Sequence, residues 1–314
     1  MSYRLEVDEC VPDGVKRIVH GQVTKALDQL RAVWQQNSDY DRFVEIVDEA
    51  THDARNRFKR IRAILRLVRD EIGEEVYQTE NVCYRDAGQL LSPLRDSCVI
   101  VETFDELSDY FSDQLYKGTF ADIRQNLAAQ HVSKRKEIFE DKEVIREVIA
   151  TIELAQQRID EWPIHRDDFE ALHDGLRRTY KRGYKQMQDA YADPTPARFH
   201  EWRKRMKYHW YHMRILKPLW PNVLDEVAGE VHKAANYLGD AHDLAELQKA
   251  VVELPSFAGD ESEGQALIGL LEQRRRELEQ AAKPLGARIY VESPKRFMQR
   301  MSGYWCALCD TGEL

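Results

Sequence analysis

His52-Asp53-Ala54-Arg55-Asn56-Arg57-Phe58-Lys59-Arg60-Ile61-Arg62-Ala63-Ile64-Leu65-Arg66-Leu67-Val68-Arg69 carries two stripes at once. At about 100° per residue, His52, Arg55, Lys59, Arg62, Arg66 and Arg69 fall within one arc. Phe58, Ile61, Leu65 and Val68 form an apolar stripe beside it. A strand would alternate at every second residue, which this stretch does not do. It reads as an amphipathic helix whose polar face is almost wholly cationic. Like charges one turn apart each destabilise a helix by about 0.2–0.5 kcal/mol. Such a face needs a bound anion, or carboxylates from a neighbouring helix, to offset the repulsion.

The pattern returns in the second half of the chain. His200, Arg203, Arg205, Lys207 and Arg214 stand 148 residues after His52, Arg55, Arg57, Lys59 and Arg66. His200, Arg203, Lys207 and Arg214 share one arc, while Trp202, Met206, Met213 and Leu216 share the next. Further on, Leu238-Gly239-Asp240 resembles Leu94-Arg95-Asp96 at an offset of 144. Each basic helix is preceded by another bearing cations: Lys16, Arg17 and Lys25 first, then Arg177, Arg178, Lys181, Arg182 and Lys185. The chain reads as an internal duplication, with repeats over 1–161 and 162–314 packed as one continuous bundle over about residues 10–309.

Helical periodicity runs through almost all of the remaining sequence. It predicts helices over 13–36, 40–70, 74–92, 95–114, 119–139, 141–160, 166–192, 196–217, 221–253, 262–281 and 294–308. Breakers fall at Trp162-Pro163, Pro194-Thr195-Pro196, Pro255 through Gly264, and Ser293-Pro294. The stretch from Pro255 to Gly264 reads as a surface loop. The fold class is all-α.

The 314 residues hold 46 Lys+Arg against 55 Asp+Glu, a net charge of −9. Residues 52–69 and 198–217 each carry +6, so the other 276 residues carry −21. Two strongly basic segments in an acidic protein point to a polyanion site, with arginine forks gripping phosphate oxygens and lysines acting as point charges. An apolar content of 43% excludes disorder throughout. No apolar run approaches the roughly 18 residues of a membrane span, and the N-terminus has no signal-peptide core. The five cysteines, at 10, 83, 98, 306 and 309, are odd in number and sparse, which fits a reducing cytoplasm. Neighbouring cations disfavour protonation of His52 and His200 unless an anion is bound, and their matching positions suggest a shared role.

His52-x-x-Arg55-x-x-x-Lys59-Arg60-x-Arg62, with Leu94-Arg95-Asp96, resembles the first repeat of a CHAD domain, the conserved-histidine α-helical domain. His200-Glu201-Trp202-Arg203-Lys204-Arg205-Met206-Lys207, with Leu238-Gly239-Asp240-Ala241-His242-Asp243-Leu244, resembles the second. The resemblance implies two helical-bundle repeats around a basic central channel, binding of inorganic polyphosphate, and recruitment to polyphosphate granules, where polyphosphate-metabolising proteins are the expected company. It carries over to His52, Arg55, Lys59, Arg60 and Arg62, and to His200, Arg203, Lys204 and Lys207. The family favours arginine where Lys59 stands, so a point charge replaces a fork there. Tyr208 and Trp210 occupy the positions of Arg60 and Arg62, and helical spacing lets Arg178 and Arg182 compensate. Arg17, Arg66 and Arg214 complete the expected polyphosphate-binding set. Relatives fused to a triphosphate-tunnel domain are known; this chain has no room for one and reads as a stand-alone, non-catalytic CHAD protein with no cofactor or metal.

Two other readings compete. His20, His52-Asp53 and Asp96 fit loosely into the frame of an HD-type metal phosphohydrolase, but the cations around His52 would repel a divalent ion. Nucleic acid is disfavoured because the acidic remainder of the surface repels a long duplex. Tyr208, Trp210 and Tyr211 have the spacing of core residues, whereas base stacking needs exposed rings. A general polyanion binder remains the alternative. Cys306-x-x-Cys309 lacks the second pair that structural zinc requires, and no strand precedes it as in redox motifs.

Overall fold

The computed structural model describes residues 2–35, 40–116, 118–140, 143–254 and 261–310, with side chains outside 34–45, 93–98, 131–140 and 261–262. Among the described residues the chain forms α-helices and short 3₁₀ turns, with no strand. The first half contains α1 (Val11–Gln35), α2 (Tyr40–Leu67), α3 (Arg69–Leu90), α4 (Ser92–Tyr110), α5 (Ala121–Glu140) and α6 (Glu143–Arg158). The second contains α7 (Glu170–Ala192), α8 (Pro196–Ile215), α9 (Pro221–Val252), α10 (Glu261–Ile289) and α11 (Pro294–Asp310). No helix among the described residues is long and apolar enough to cross a membrane.

The helix starts follow local chemistry. Thr195 caps α8, its Oγ1 accepting from the Arg198 amide at 3.4 Å, and Pro196 follows at the first helical position. Pro294 opens α11 in the same way, with Ser293 Oγ accepting from the Arg296 amide at 3.3 Å.

Two boundaries differ from those expected. The α2 helix ends at Leu67 with a bend at Val68, three residues short of the end expected at 70, while the non-helical Gly73 (φ 77°) inside α3 marks the break expected before 74. The α10 helix runs through Pro284 to Ile289, past the end expected at 281. Proline removes one helical hydrogen bond. Here Ala282, Leu285 and Gly286 are buried, and a side chain at 286 would strike Trp202 at 2.6 Å, so close packing carries the helix across the proline. Residues 255–260 of the expected loop lie outside the described residues, and helix begins at Glu261.

The apolar stripe read on α2 is core: Phe58, Ile61, Leu65 and Val68 are at most 1% exposed. The same holds for Trp202, Met206, Met213 and Leu216 around α8. These side chains join others from α1, α3, α6, α7, the first half of α9 and α11 in one core. A second core draws Phe104, Phe111, Ile123 and Leu127 from the α4–α5 region and Leu247, Val251, Leu267 and Leu271 from the α9–α10 region. The two halves of the chain therefore share a core.

The two basic helices meet. His212 of α8, fully buried, places Nε2 2.8 Å from the Ala63 carbonyl of α2, to which it donates as a neutral imidazole. The N-terminal segment straps the pair: Tyr3 Oη donates to the Arg60 carbonyl (3.1 Å) and the Leu5 amide to the Ile215 carbonyl (3.0 Å). The α7 helix closes onto the end of α2 at Gly175, where any Cβ would sink into the Leu67 carbonyl oxygen. This approach brings the arginines of α7 to those of α2.

Candidate polyanion site

The α2 cations divide by face. Arg55 reaches Ser92 at the start of α4, with Nη2 donating to Oγ at 2.8 Å. Arg62 and Arg66 both donate to Oδ1 of the buried Asn81 on α3, at 3.1 and 3.0 Å, which holds two guanidiniums side by side. Burial, with Arg66 and Arg85 nearby, draws the Arg62 pKa below its ordinary value. Lys59 and His52 are exposed, and His52 Nε2 lies 2.8 Å from Asn56 Nδ2. Arg57 points away, to Gln29 Oε1 at 3.0 Å and Asp53 at 3.7 Å, as its place off the arc requires.

Beyond Arg66 the chain builds a recess from four helices. Arg66, Arg69, Arg178, Arg182 and Arg205 line it together with Tyr77 and Thr179. Arg178 Nη2 pairs with both oxygens of Asp70, at 2.6 and 2.8 Å, and Arg69 pairs with Glu74. Glu201 lies 3.8 Å from Arg205. Arg178 Nη1 and Arg205 Nε are buried without an acceptor among the described residues. Burial and the neighbouring Arg205, Arg178 and Arg69 pull the pKa of Arg182 down. Unsatisfied buried donors and mutually repelling guanidiniums both favour an anion here.

A second cationic cluster lies where α8 meets α9 and the N-terminal segment. The Lys207 ammonium and the Arg214 guanidinium each sit 5.2 Å from the Trp210 ring centre. Arg214 and Arg60 flank the Tyr3 ring at 5.5 and 5.7 Å. Trp210 stacks on His232, with ring centres 4.0 Å apart. Lys207 is pushed down to about 8, first by burial and then by Arg203, against the opposing pull of Asp240 and Asp243. Arg203 Nε and Arg60 Nε are buried without an acceptor among the described residues. Arg203 rests on Gly239, where a Cβ would stand 3.3 Å from its Nε. That contact gives the Leu238-Gly239-Asp240 motif a packing reason for its glycine.

The histidines do not share an environment. His200 lies against His242, with ring centres 4.0 Å apart and the rings tilted by 43°. Burial, then cations including Lys204 and Arg203, hold His200 down to about 4. His242 is down to about 3, through burial and then His200. His52 is exposed, with Nε2 beside Asn56.

The expected residues thus come together only in part. Arg66, Arg178 and Arg182 gather at the recess, with Arg62 beside Arg66 on Asn81; Arg60, Arg203, Lys207 and Arg214 gather along α8. Lys204 is paired with Glu201. Arg17 is clamped to Glu9, with Nε donating at 2.7 Å, and also pairs with Glu6 and donates to the Arg4 carbonyl. That hydrogen bond with Glu9 raises the Arg17 pKa and ties it to the N-terminal segment and its carboxylates. Arg69 and Arg205 belong to the recess, although Arg205 stands where the off-arc Arg57 stands in α2. Tyr208 and Trp210 are half-buried and packed against the core, each presenting a ring to a cation, while Tyr211 is 4% exposed. The side chain of Asp96 lies outside the described residues; His20 bonds Asp160 at 2.9 Å and Asp53 accepts from Gln29 at 2.7 Å. Cys306 and Cys309 are exposed thiols on α11.

No curated protein matches the chain. A family model, that of the CHAD domain, matches residues 22–252, from within α1 to the end of α9, and so includes both basic helices. With most of its length matched, and both His-x-x-Arg helices inside the match, the chain belongs to the CHAD-domain family.

Proposed function

We propose that this protein binds inorganic polyphosphate without chemistry, in a basic channel between two duplicated helical repeats, as a cytoplasmic module recruited to polyphosphate granules. One observation carries the reading. On either side of the contact between α2 and α8, arginine donors are buried without acceptors among the described residues: Arg178 and Arg205 on one side, Arg60 and Arg203 on the other. Asp70, Glu74 and Glu201 pair with Arg178, Arg69 and Arg205 but leave these buried donors unmatched among the described residues, so an anion with repeated oxygens satisfies them best. A thin, charge-dense polymer reaches the crevices between helices, whereas a duplex meets the acidic remainder of the surface first. Family membership supports the same ligand class. Polyphosphate-metabolising proteins, acting on the polymer that this module holds, are the expected partners.

The test is a titration with long-chain polyphosphate at about 150 mM salt, near the physiological range, with single-stranded RNA and heparin as controls. Tight binding to polyphosphate and weak binding to the controls is expected. Equal binding to all three would make the protein a general polyanion binder, and no binding would reject the site. The logarithm of the binding constant should fall linearly with that of the salt concentration, by roughly 0.7–0.9 per phosphate engaged if nucleic-acid behaviour transfers.

A further inference from the structure

We infer that the five-arginine recess between α2, α3, α7 and α8 grips the terminal phosphoryl group of a polyphosphate chain, so that the protein is captured at chain ends instead of along the chain. The inference rests on the polyphosphate reading and refines it.

The first argument is size. The recess offers about 20 Å³, room for one or two water-sized groups, so it admits the oxygens at the end of a chain and not a run of phosphoryl units. The second is donor number. An internal phosphoryl unit has two non-bridging oxygens and about one negative charge. A terminal unit has three, and near neutral pH its second ionisation adds charge toward about −2. The recess suits the richer acceptor: Arg178 Nη1 and Arg205 Nε are buried and unmatched, and Arg182 has no carboxylate in ion-pair range among the described residues.

The third argument is direction. On the α3 side, Asp70 and Glu74 bond the recess arginines from their outer side, and Glu71 and Glu75 stand beside them in sequence. A polyanion continuing that way meets carboxylates. From Arg66 the cations lead the other way, to Arg62 on the shared Asn81 and on along α2 toward Lys59 and Arg55. Penultimate phosphates therefore have a path, and the end has a stop.

Saturating the full-length protein with linear polyphosphates differing about tenfold in length tests this. One protein per chain end at every length is expected; a number bound that grows with length overturns the inference. Chains capped at both ends as alkyl monoesters, which leaves two non-bridging oxygens on the last unit, should bind about tenfold more weakly than uncapped chains. Equal affinity for capped and uncapped chains also overturns it. Arg182→Ala removes an exposed side chain and should weaken uncapped chains more than capped ones, narrowing that preference; a preference kept intact assigns the end group elsewhere. If the wild type binds no polyphosphate of any kind, the broader reading fails and this one with it. If it binds with length-proportional stoichiometry, only the end-group reading fails.

Discussion

The Arg66 guanidinium of α2 lies 4.2 Å from the centre of the Tyr208 ring of α8. The position matching Arg66 in α8 is Arg214, and the position matching Tyr208 in α2 is Arg60. Those two also meet, flanking the Tyr3 ring. One helix contact thus pairs a cation with a ring on one side and two cations on the other, with Tyr3 between them. A cation held against a ring is worth about 0.5–2 kcal/mol, depending on desolvation. Tyr208→Phe keeps the ring and should leave the denaturant midpoint nearly unchanged. Tyr208→Ala should lower stability by about 2 kcal/mol and weaken polyphosphate binding by freeing Arg66. Chemical unfolding and a binding titration of both variants check this; an Ala variant as stable as Phe would remove the cation–ring contact from the account.

Two α8 histidines make the fold acid-sensitive. His209 and His212 are buried, and burial holds them down to about 3 and about 4. In the unfolded chain they titrate near 6.5. Above that value neither state binds the proton, and their contribution to stability is fully present. As pH falls below about 6.5 only the unfolded state protonates, and stability drops by about 1.4 kcal/mol per unit for each histidine until the folded values are reached. The two together should cost about 4 kcal/mol at pH 5. Urea midpoints at several pH values between 7 and 4.5 measure the slope, and a flat profile would contradict the burial.

Arg57 and Arg203 separate the two uses of arginine. Arg57 is engaged by Gln29 and Asp53, so Arg57→Ala should leave polyphosphate affinity within about twofold of wild type. Arg203 presents a buried, unmatched Nε beside Lys207. Arg203→Ala should weaken binding about tenfold or more, with helical content retained in circular dichroism. Equal losses from the two variants would mean that total charge, not placement, governs binding.

Much of this was legible from residue pattern. The stripes of α2 and α8 predict their buried faces because a 3.6-residue period fixes which side chains share a side. That geometry also turns Arg57 away. What pattern misses is whatever depends on a third helix. Arg205 joins the recess because Gly175 lets α7 press onto α2, a tertiary fact with no periodic signature. Arg69 is there although α2 stops two residues before it, since Val68 and Ile72 keep helical hydrogen bonds across the bend. Arg17 sits on a helix facing α2 like its expected partners, but Glu9, eight residues earlier, claims it first. Pro284 misleads because helix propensity is local and the packing of Gly286 on Trp202 is not.

Lys207 makes binding proton-linked. Its pKa of about 8 in the free protein means that roughly half the molecules carry a neutral amine at pH 8. A bound polyanion favours the ammonium and raises the value, so binding at pH 8 should take up about half a proton per protein and much less at pH 6.5. His200 and His242, near 4 and 3, stay neutral at pH 8 and do not contribute. Calorimetry in two buffers of different ionisation enthalpy gives the uptake directly. Lys207→Gln should abolish it, and uptake that persists in this variant would assign the proton to another group.

Gly175 couples stability to the site. Its Cα faces the backbone at the end of α2, and a methyl group there would overlap the Leu67 carbonyl oxygen and crowd that of Arg66. Neither neighbour is a flexible side chain that can move aside, so Gly175→Ala must push α7 away from α2. Overpacking of this kind costs about 1–3 kcal/mol, more than the gain of about 1 kcal/mol that alanine ordinarily brings to a helix interior. The separation also draws Arg178 and Arg182 away from Arg66. The variant should therefore lose stability and polyphosphate affinity together, whereas Arg178→Gln should lose affinity with a smaller change in the denaturant midpoint. Measuring both quantities for both variants decides the matter: a Gly175→Ala protein that is destabilised but binds as wild type would show that the recess does not depend on the close approach of α7.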